Sequence, residues 1–224
     1  STPRFPIRAP QSDVYFIKFD PAQNPEMATA AEVISTKFFH AMGYNVPENH
    51  LAFFTRQQLR ADPKATITDA TGRERHLEDL DLDTILGGVH KSQGRYRAVA
   101  SKQLQGVPIG PFQYHGTRPD DPNDIFPHEH RRELRGMRVF AAWLNHDDSR
   151  AINSLDVLAG QPGRRHVRHY LIDFGSTLGS GSVSAQKARA GWEYMWEPST
   201  TFKRIATLGL WDKNWIRVSY PNHP

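Results

Sequence analysis

A lysine lies where the sequence predicts a buried strand. Residues 14–19 read Val-Tyr-Phe-Ile-Lys-Phe, so Lys18 interrupts a run of apolar and aromatic side chains. Because a buried ammonium group is costly unless it is paired, we expect a partner carboxylate nearby. Glu32, on the helix that follows, can supply it, whereas the position of Glu26 is already explained by its place in the first helical turn. A lysine held in this way can neutralise a bound phosphate group.

Oxygen ligands for a divalent cation follow in the second half of the chain. Asp148 and Asn153 stand five residues apart in a polar loop, and Asp173 directly follows the apolar residues 170–172. Carboxylate and amide oxygens are the ligands that Mg²⁺ prefers. Phosphoryl transfer needs cations to neutralise the phosphates and a carboxylate to position the attacking hydroxyl. Lys18 and these residues are of the types that such chemistry needs.

Strands around one helix are expected to position the lysine and its partner. Strands are predicted at residues 4–8, 14–19, 50–55 and 96–101. A helix is predicted over residues 25–42, with Asn24 as its N-cap, Pro25 at its first position and Gly43 at its end. Residues 56–95 are polar and charged, and we interpret them as an insertion with weak structure of its own.

The second half of the chain is predicted to be mainly helical. A proline-rich linker over residues 106–124 is followed by a helix over residues 128–144, whose apolar residues lie along one face. Next come a polar loop at 145–153 and a hairpin formed by residues 155–158 and 168–172.

Two further stretches have a distinctive composition. Residues 175–184 are rich in Gly and Ser, which predicts a mobile loop and a candidate surface for an acceptor substrate. The end of the chain is aromatic, and we expect its aromatic residues to pack into a small helical core. These residues are Trp192, Tyr194, Trp196, Trp211 and Trp215.

The order of the polar residues along the chain resembles that of the protein-kinase-like fold. The match includes the Asp-Phe-Gly tripeptide at 173–175, and it is to the atypical branches of that superfamily, the HipA-like toxin kinases and the secretory and spore-coat kinases. It covers residues 4–175. The resemblance implies an α+β fold with two lobes. The N-lobe, residues 1–105, would be an antiparallel sheet with one helix, and the C-lobe, residues 106–224, would be mainly helical.

The resemblance also implies a role for each polar residue. Lys18 would hold the phosphates of ATP and pair with Glu32. Asp148 would accept the proton of the acceptor hydroxyl, while Asn153 and Asp173 would bind Mg²⁺ or Mn²⁺. The implied function is ATP- and Mg²⁺-dependent transfer of the γ-phosphoryl group to a hydroxyl acceptor, whose identity the sequence leaves open.

The implied site departs from the usual pattern in two ways. The loop reads His146-Asp147-Asp148 where most kinases have His-Arg-Asp, so Asp147 is an alternative to Asp148 as the base. No glycine-rich phosphate loop is present. In this fold that loop precedes the strand before Lys18. Either it lies upstream of Ser1, in a longer chain that we expect to be truncated here at both ends, or this protein dispenses with it.

The adenine-binding hinge would fall just after the strand predicted at 96–101. This placement nominates Lys102, Gln103 and Leu104 as nucleotide-binding residues. Backbone groups bind adenine in such a hinge, so the side chains themselves do not decide the assignment.

Two other functions stay open on the sequence. The chain could be a catalytically inactive kinase-like module that works by binding alone, although it keeps the strand lysine and both aspartates. It could instead be a metal-dependent hydrolase, since it has 11 histidines. The candidate ligands of such a metal are His128, His130, His146, Asp147, Asp148, His166 and His169. Against this, His128 and His130 are two residues apart, a spacing that does not place both on one helix face.

Composition excludes several classes of protein. The 224 residues include no cysteine, which excludes a disulfide scaffold and a thiolate metal site, and no apolar run of the length that spans a membrane. Basic residues exceed acidic ones only by 28 to 24 and are spread along the chain, so nucleic-acid binding is not indicated. The expected partners are a nucleotide and an acceptor, either a protein, a sugar or a small molecule. We expect a soluble protein, with the cytoplasm as the favoured compartment.

Overall fold

The computed structural model describes residues 4–10, 13–68, 73–187 and 198–211, and within them the fold is α+β, as the sequence predicts. Its strands are β1 (Arg4–Arg8), β2 (Val14–Phe19), β3 (Asn49–Phe54), β4 (Thr66–Thr68), β5 (Glu74–His76), β6 (Lys91–Ser92), β7 (Arg95–Lys102), β8 (Val107–Gly110), β9 (Ser154–Ala159) and β10 (His166–Leu171). Its α-helices are α1 (Met27–Ala41), α2 (Asp79–Gly87), α3 (Arg132–Trp143) and α4 (Pro198–Ala206). Short 3-10 helices cover Arg56–Gln58, His128–His130 and Ala151–Asn153.

An antiparallel sheet occupies the first half of the chain and contains the strands predicted there. Its strand order is β1-β2-β7-β3, and the short β6 pairs with β7. Lys18 lies opposite Val99 in the register between β2 and β7. Because side chains alternate along a strand, Ile17 and Phe19 face one side of this sheet while Lys18 faces the other.

Residues 56–95 do not form the weakly structured insertion that their polar composition predicts. They contain the hairpin β4–β5 and the helix α2, which buries Leu82 and Leu86. Leu86 and Val89 join Ile17 in the hydrophobic core on this side of the sheet. The prediction failed because α2 buries only a few apolar side chains, and the charged residues on its exposed face dominate the local composition.

Helix α1 covers the face of the sheet on which Lys18 lies. Its start is two residues later than in the helix predicted over 25–42, and Gly43, with a φ of 92°, follows its end as predicted. Glu32 is one of the residues that α1 buries. The helix therefore brings a carboxylate to the same face of the sheet as the strand lysine.

The start of α1 is capped from a distance rather than by the local residues. Glu26, not Asn24, is the N-cap residue; its φ is 69°, and its side chain makes no capping bond. The Thr29 backbone N–H donates to Asp20 Oδ1 (2.8 Å), and the Thr29 hydroxyl donates to Asp20 Oδ2 (2.6 Å). The predicted Asn24 cap is wrong, because an aspartate at the end of β2 satisfies the donor that a local cap would have satisfied.

A mainly helical second half is not evident in the described residues. Strands β8, β9 and β10 form a three-stranded antiparallel sheet in the order β10-β9-β8. Of these, β8 lies in the stretch 106–124 that was predicted to be a linker, and β9 and β10 confirm the predicted hairpin. The helix predicted over 128–144 is divided into a 3-10 turn and α3, because Arg131 between them has an extended backbone.

Helix α4 leaves its apolar side chains exposed. Phe202 and Ile205 are about 70% accessible to solvent, so residues 198–211 do not show the aromatic helical core predicted for the end of the chain. Trp211 is half-buried, with Lys203 Nζ 5.0 Å from its ring centre. The other residues predicted for that core, Trp192, Tyr194, Trp196 and Trp215, lie outside the described residues. None of the described helices has both the length and the apolar character needed to cross a membrane.

The packing of α2 leads to a prediction about stability. Leu86 is 1% exposed, so Leu86→Ala should lower the free energy of unfolding by about 2–5 kcal/mol through lost burial and a residual cavity. Leu80, on the same helix, is 72% exposed, and Leu80→Ala should change the free energy of unfolding by no more than about 0.5 kcal/mol. Urea denaturation measures both. Equal, small effects would show that α2 is not part of the core.

Candidate active site

Lys18 lies between two carboxylates from distant parts of the chain. Its Nζ is 3.3 Å from Glu32 Oε2 and 3.1 Å from Asp173 Oδ1. The structure thus brings together three residues predicted from the sequence, one from β2, one from α1 and one just after β10. The side chains of Lys18 and Asp173 are 22% and 25% exposed, whereas that of Glu32 is only 4% exposed. The cluster therefore opens to solvent on the side of Lys18 and Asp173.

The Glu32 carboxylate is buried and surrounded by donors. Asn49 Nδ2 donates to its Oε1 (3.1 Å), and the backbone N–H of Phe174 also donates to it. Burial raises the pKa of Glu32 above its ordinary value of 4.5, and the negative charge of Asp173 adds to the rise. Lys18 and the Phe174 N–H act in the opposite direction. The ionised form of Glu32 therefore depends on Lys18 and on these donors.

Phe174, the residue after Asp173, anchors this part of the backbone. Asp173 has a φ of 62°, in the left-handed region that Asp adopts more readily than most residues. Phe174 is fully buried, and its ring centre lies 4.9 Å from that of Phe39 on α1 and 5.5 Å from that of His146. This packing holds the backbone of the Asp-Phe-Gly tripeptide against α1 and against the loop after α3.

The loop between α3 and β9 carries two aspartates with different partners. Asn153 Nδ2 donates to the backbone oxygen of Asp148 (2.7 Å) and to its Oδ2 (2.8 Å), and Arg150 forms an ion pair with the same carboxylate. The Ser176 hydroxyl donates to Asp147 Oδ1 (2.5 Å). The structure thus joins Asp148 to Asn153, two residues predicted to act together, and joins Asp147 to the segment that follows β10.

A buried histidine links this loop to the Lys18 cluster. His146 is 4% exposed, and its Nδ1 donates to the Ser176 carbonyl oxygen (3.2 Å). Burial lowers the pKa of His146 below its ordinary value of 6.5, and the Ser176 hydrogen bond opposes this. The charges of Asp148, Asp147 and Asp173 also oppose it, in that order. All three carboxylates therefore lie within electrostatic reach of the buried His146 ring.

A small cleft adjoins Lys18 and Asp173. Its cavity volume is about 30 Å³, and it is partly open to solvent. Its lining includes Lys18, Thr29, Glu32, Asp173, Gly175 and Ser182. Charged groups of both signs thus border one concave surface, as a site for an anionic ligand and a cation requires.

The residues predicted to form the hinge lie outside this cleft. Lys102 ends β7, and its Nζ is 3.0 Å from Asp13 Oδ2. The Gln103 N–H donates to the Val14 carbonyl oxygen (2.9 Å), and Leu104 is half-buried. Lys102 is thus the last residue of β7, while Gln103 and Leu104 lie in the connection between β7 and β8, and the lining described above includes none of the three.

Histidines considered as metal ligands bond to other groups. His128 Nε2 lies 2.5 Å from Asp124 Oδ2, and its ring stacks on that of Phe112 at 4.2 Å between centres. His169 Nδ1 lies 2.6 Å from Asp156 Oδ1. Within the described ranges, no group of three His, Cys, Asp or Glu side chains is arranged to hold a metal ion. The metal-hydrolase alternative therefore gains no support from these residues.

Part of the segment 175–184, whose composition predicts a mobile loop, is packed: Gly175, Ser176, Thr177 and Ser180 are buried, whereas Val183 and Ser184 are exposed. Thr177 is fully buried, and its hydroxyl bonds to that of Ser35 on α1 (2.7 Å). Asn24 Nδ2 donates to the Val183 carbonyl oxygen (3.1 Å). Small polar side chains suit this packing, because they bond to nearby backbone and hydroxyl groups where larger ones would not fit.

Asn49 is a residue of the site that the sequence did not identify. It lies at the start of β3, is 5% exposed, and donates from Nδ2 to Glu32 Oε1 and to Thr36 Oγ1 (2.8 Å). Its Oδ1 is buried and has no hydrogen-bond partner in the described part of the chain. The available signal was an asparagine beside an apolar strand, a pattern that is more typical of turns.

Comparison with models of known protein families, with curated proteins and with solved structures found no match for this chain.

The raised pKa of Glu32 predicts a particular dependence of stability on pH. Above pH 4.5 the folded state holds a proton that the unfolded state has released, so stability contributed by Glu32 falls as pH rises towards its folded pKa. Glu32→Gln cannot titrate. The difference in unfolding free energy, native minus Glu32→Gln, should therefore decrease from acidic to neutral pH in urea denaturation. An increase would mean that Lys18 outweighs burial and lowers this pKa.

The donor role of Asn49 predicts an unusual order of two variants. Asn49→Ala removes the donor and should cost about 1–3 kcal/mol of stability. Asn49→Asp keeps the shape but places a second carboxylate against Glu32, and should cost about 3–5 kcal/mol at neutral pH. Asn123 is exposed, and Asn123→Asp should stay within about 0.5 kcal/mol of the native protein. If packing alone mattered, Asn49→Asp would lower the free energy of unfolding less than Asn49→Ala does in urea denaturation.

Proposed function

We propose that this protein is an ATP- and Mg²⁺-dependent phosphotransferase of an atypical kinase-like type, which transfers the γ-phosphoryl group to a hydroxyl. The observation that carries the proposal is the position of Lys18. Its ammonium group lies between Glu32 and Asp173 at the edge of an open cleft. A cation so held is suited to bind phosphate oxygens, because its geometry is fixed before the ligand arrives.

The residues near the cleft fit a magnesium ion. Asn153 uses its Nδ2 to bind Asp148, which leaves the amide oxygen as the acceptor that can face a cation. Asp173 provides a carboxylate on the solvent-exposed side of the Lys18 cluster. Mg²⁺ often takes only one or two protein oxygens and completes its shell with water and phosphate, so a group of three acidic or histidine ligands is not required. When bound, it would neutralise the charge that develops on the transferred phosphoryl group.

Asp148 is the residue we propose to position the acceptor hydroxyl. Asn153 holds its backbone and side chain, and Arg150 forms an ion pair with its carboxylate. A carboxylate needs only to orient the hydroxyl and take its proton, because little other covalent chemistry is left to the protein. Asp147 is the alternative, but one of its oxygens is already occupied by the Ser176 hydroxyl.

The arrangement of elements supports a kinase-like division into two lobes, with the cleft at their junction. The five-stranded sheet and α1 fall before residue 105, and the three-stranded sheet and α3 follow it. In this proposal the connection at 102–104 is the hinge, and adenine would bind to its backbone. Asp148 and Asn153 precede the β9–β10 hairpin and Asp173 follows it, so both ends of that hairpin contribute to one site.

Thermal denaturation with and without nucleotide tests the proposal. MgATP should raise the melting temperature by mass action. Lys18→Ala and Asp173→Ala should abolish the rise, whereas Lys37→Ala, on the exposed side of α1, should keep it. The absence of a rise with any nucleotide and metal would contradict the proposal.

The two aspartates of the loop can be separated by ADP formation. Asp148→Asn should keep the thermal shift with MgATP but lose ADP formation, because it removes the base and not a nucleotide contact. Asp147→Asn should retain much more of the turnover. If Asp147→Asn loses ADP formation and Asp148→Asn keeps it, the base is Asp147. A thermal shift without ADP formation in the native protein would indicate a module that only binds nucleotide.

A further inference from the structure

Two hydroxyl groups line the cleft beside Lys18, and they differ in their bonding. The Thr29 hydroxyl donates to Asp20 Oδ2 (2.6 Å) and belongs to the capping of α1. The Ser182 hydroxyl has no hydrogen-bond partner among the residues that the structure describes. The backbone N–H of Ser182 is bound, to Ser180 Oγ (3.2 Å). Ser182 thus has a fixed backbone and a hydroxyl at the cleft that bonds to no other residue of the described ranges.

The space next to Gly175 locates this hydroxyl relative to the charged cluster. A methyl group on Gly175 Cα would lie 3.3 Å from Ser182 Oγ, 3.5 Å from Glu32 Oε2 and 3.8 Å from Asp173 Oδ1. These three oxygens therefore border the same small space. A side chain larger than hydrogen at position 175 would separate Ser182 from the two carboxylates.

A tight turn holds Ser182 in place. The turn is closed by the bridge between Ser180 and Ala185 and by the hydrogen bond from the Gly181 N–H to the Ser184 carbonyl oxygen (2.8 Å). Ser182 has a φ of 65°, which serine rarely adopts and which costs on the order of 1–3 kcal/mol unless the surroundings enforce it. Such strain is typical of positions that are held for a function.

The same turn is tied to both parts of the proposed site. Asn24 Nδ2 donates to the Val183 carbonyl oxygen (3.1 Å) from the loop before α1. On the other side, Gln186 Nε2 donates to the Asn145 carbonyl oxygen (3.1 Å), at the start of the loop that carries Asp148. The turn therefore spans the opening between α1 and that loop, where the phosphates of a bound nucleotide would enter.

We infer that the Ser182 hydroxyl is an intramolecular acceptor of the phosphoryl group; this inference depends on the proposed phosphotransferase function. Ser182 Oγ forms a bond to the γ-phosphorus of ATP, the bond from that phosphorus to the β,γ-bridging oxygen breaks, and ADP leaves. The hydroxyl proton passes to water, so this single transfer within the chain does not use Asp148, which acts in repeated turnover with a separate acceptor. The product is phosphoserine beside Lys18, whose ammonium group can pair with the new dianion.

Mass spectrometry of the whole chain tests the inference. The protein is first treated with a phosphatase, which is then removed, and is incubated with MgATP. The intact mass should increase by one phosphoryl group, and tandem mass spectrometry should place it on Ser182. The increase should be lost in Ser182→Ala and retained in Ser184→Ala, a matched control because Ser184 is exposed on the same turn. The rate constant should not change on dilution, as expected for a reaction within one molecule.

Localisation on the native chain does not depend on the folding of any variant. If MgATP raises the melting temperature but no phosphoryl group is found on Ser182, the inference is wrong and nucleotide binding stands. If the rate is proportional to protein concentration, the acceptor belongs to another molecule, which also overturns it. If MgATP neither raises the melting temperature nor modifies the chain, the proposed function and the inference fail together.

Discussion

The burial of Glu32 is the constraint on which the rest of the site depends. A carboxylate that is almost fully enclosed is stable as an anion only if cations and donors replace the water that it has lost. Lys18 supplies the charge, and Asn49 and the Phe174 N–H supply hydrogen bonds. Each of these comes from a different element, so β2, β3, α1 and the segment after β10 must meet at one place for Glu32 to be ionised there.

Packing on the other side of the sheet makes this arrangement possible. Alternation along β2 places Ile17 and Phe19 opposite Lys18, and both are buried. Helix α2 and the residues after it cover that face, and Leu86 is the most deeply buried residue they contribute. Because hydrophobic burial there stabilises the sheet, the face towards α1 can carry an ion pair whose own net contribution to stability is small. The polar segment 56–95 thus supports the site without taking part in it.

The sequence predicted one pairing within the candidate site. Lys18 meets Glu32 as expected, because a charged residue in an apolar strand requires a partner, whereas the contact of Lys18 with Asp173, predicted only as a metal ligand, was not foreseen. The capping of α1 could not be predicted, since Asp20 reaches Thr29 from the end of a strand and not from the preceding turn. Asn49 was missed for a related reason: its partners, Glu32 and Thr36, are distant in sequence. Composition did not predict the packing at Thr177, whose hydroxyl bonds to that of Ser35 on α1.

Asp173 occupies a position in which two cations would compete. Its Oδ1 lies 3.1 Å from Lys18 Nζ, and the proposed metal would bind the same carboxylate. A dication bound to Asp173 offsets the negative charge of that carboxylate and so weakens its ion pair with Lys18. Glu32 is then the main partner of the ammonium group. The phosphates of a nucleotide that arrives with the metal can then restore the balance by binding Lys18 on its solvent-exposed side. Metal and nucleotide should on this reasoning bind more favourably together than either does alone, because each compensates the charge that the other disturbs. The single ion-paired cluster would thereby couple the two ligands without any change of fold.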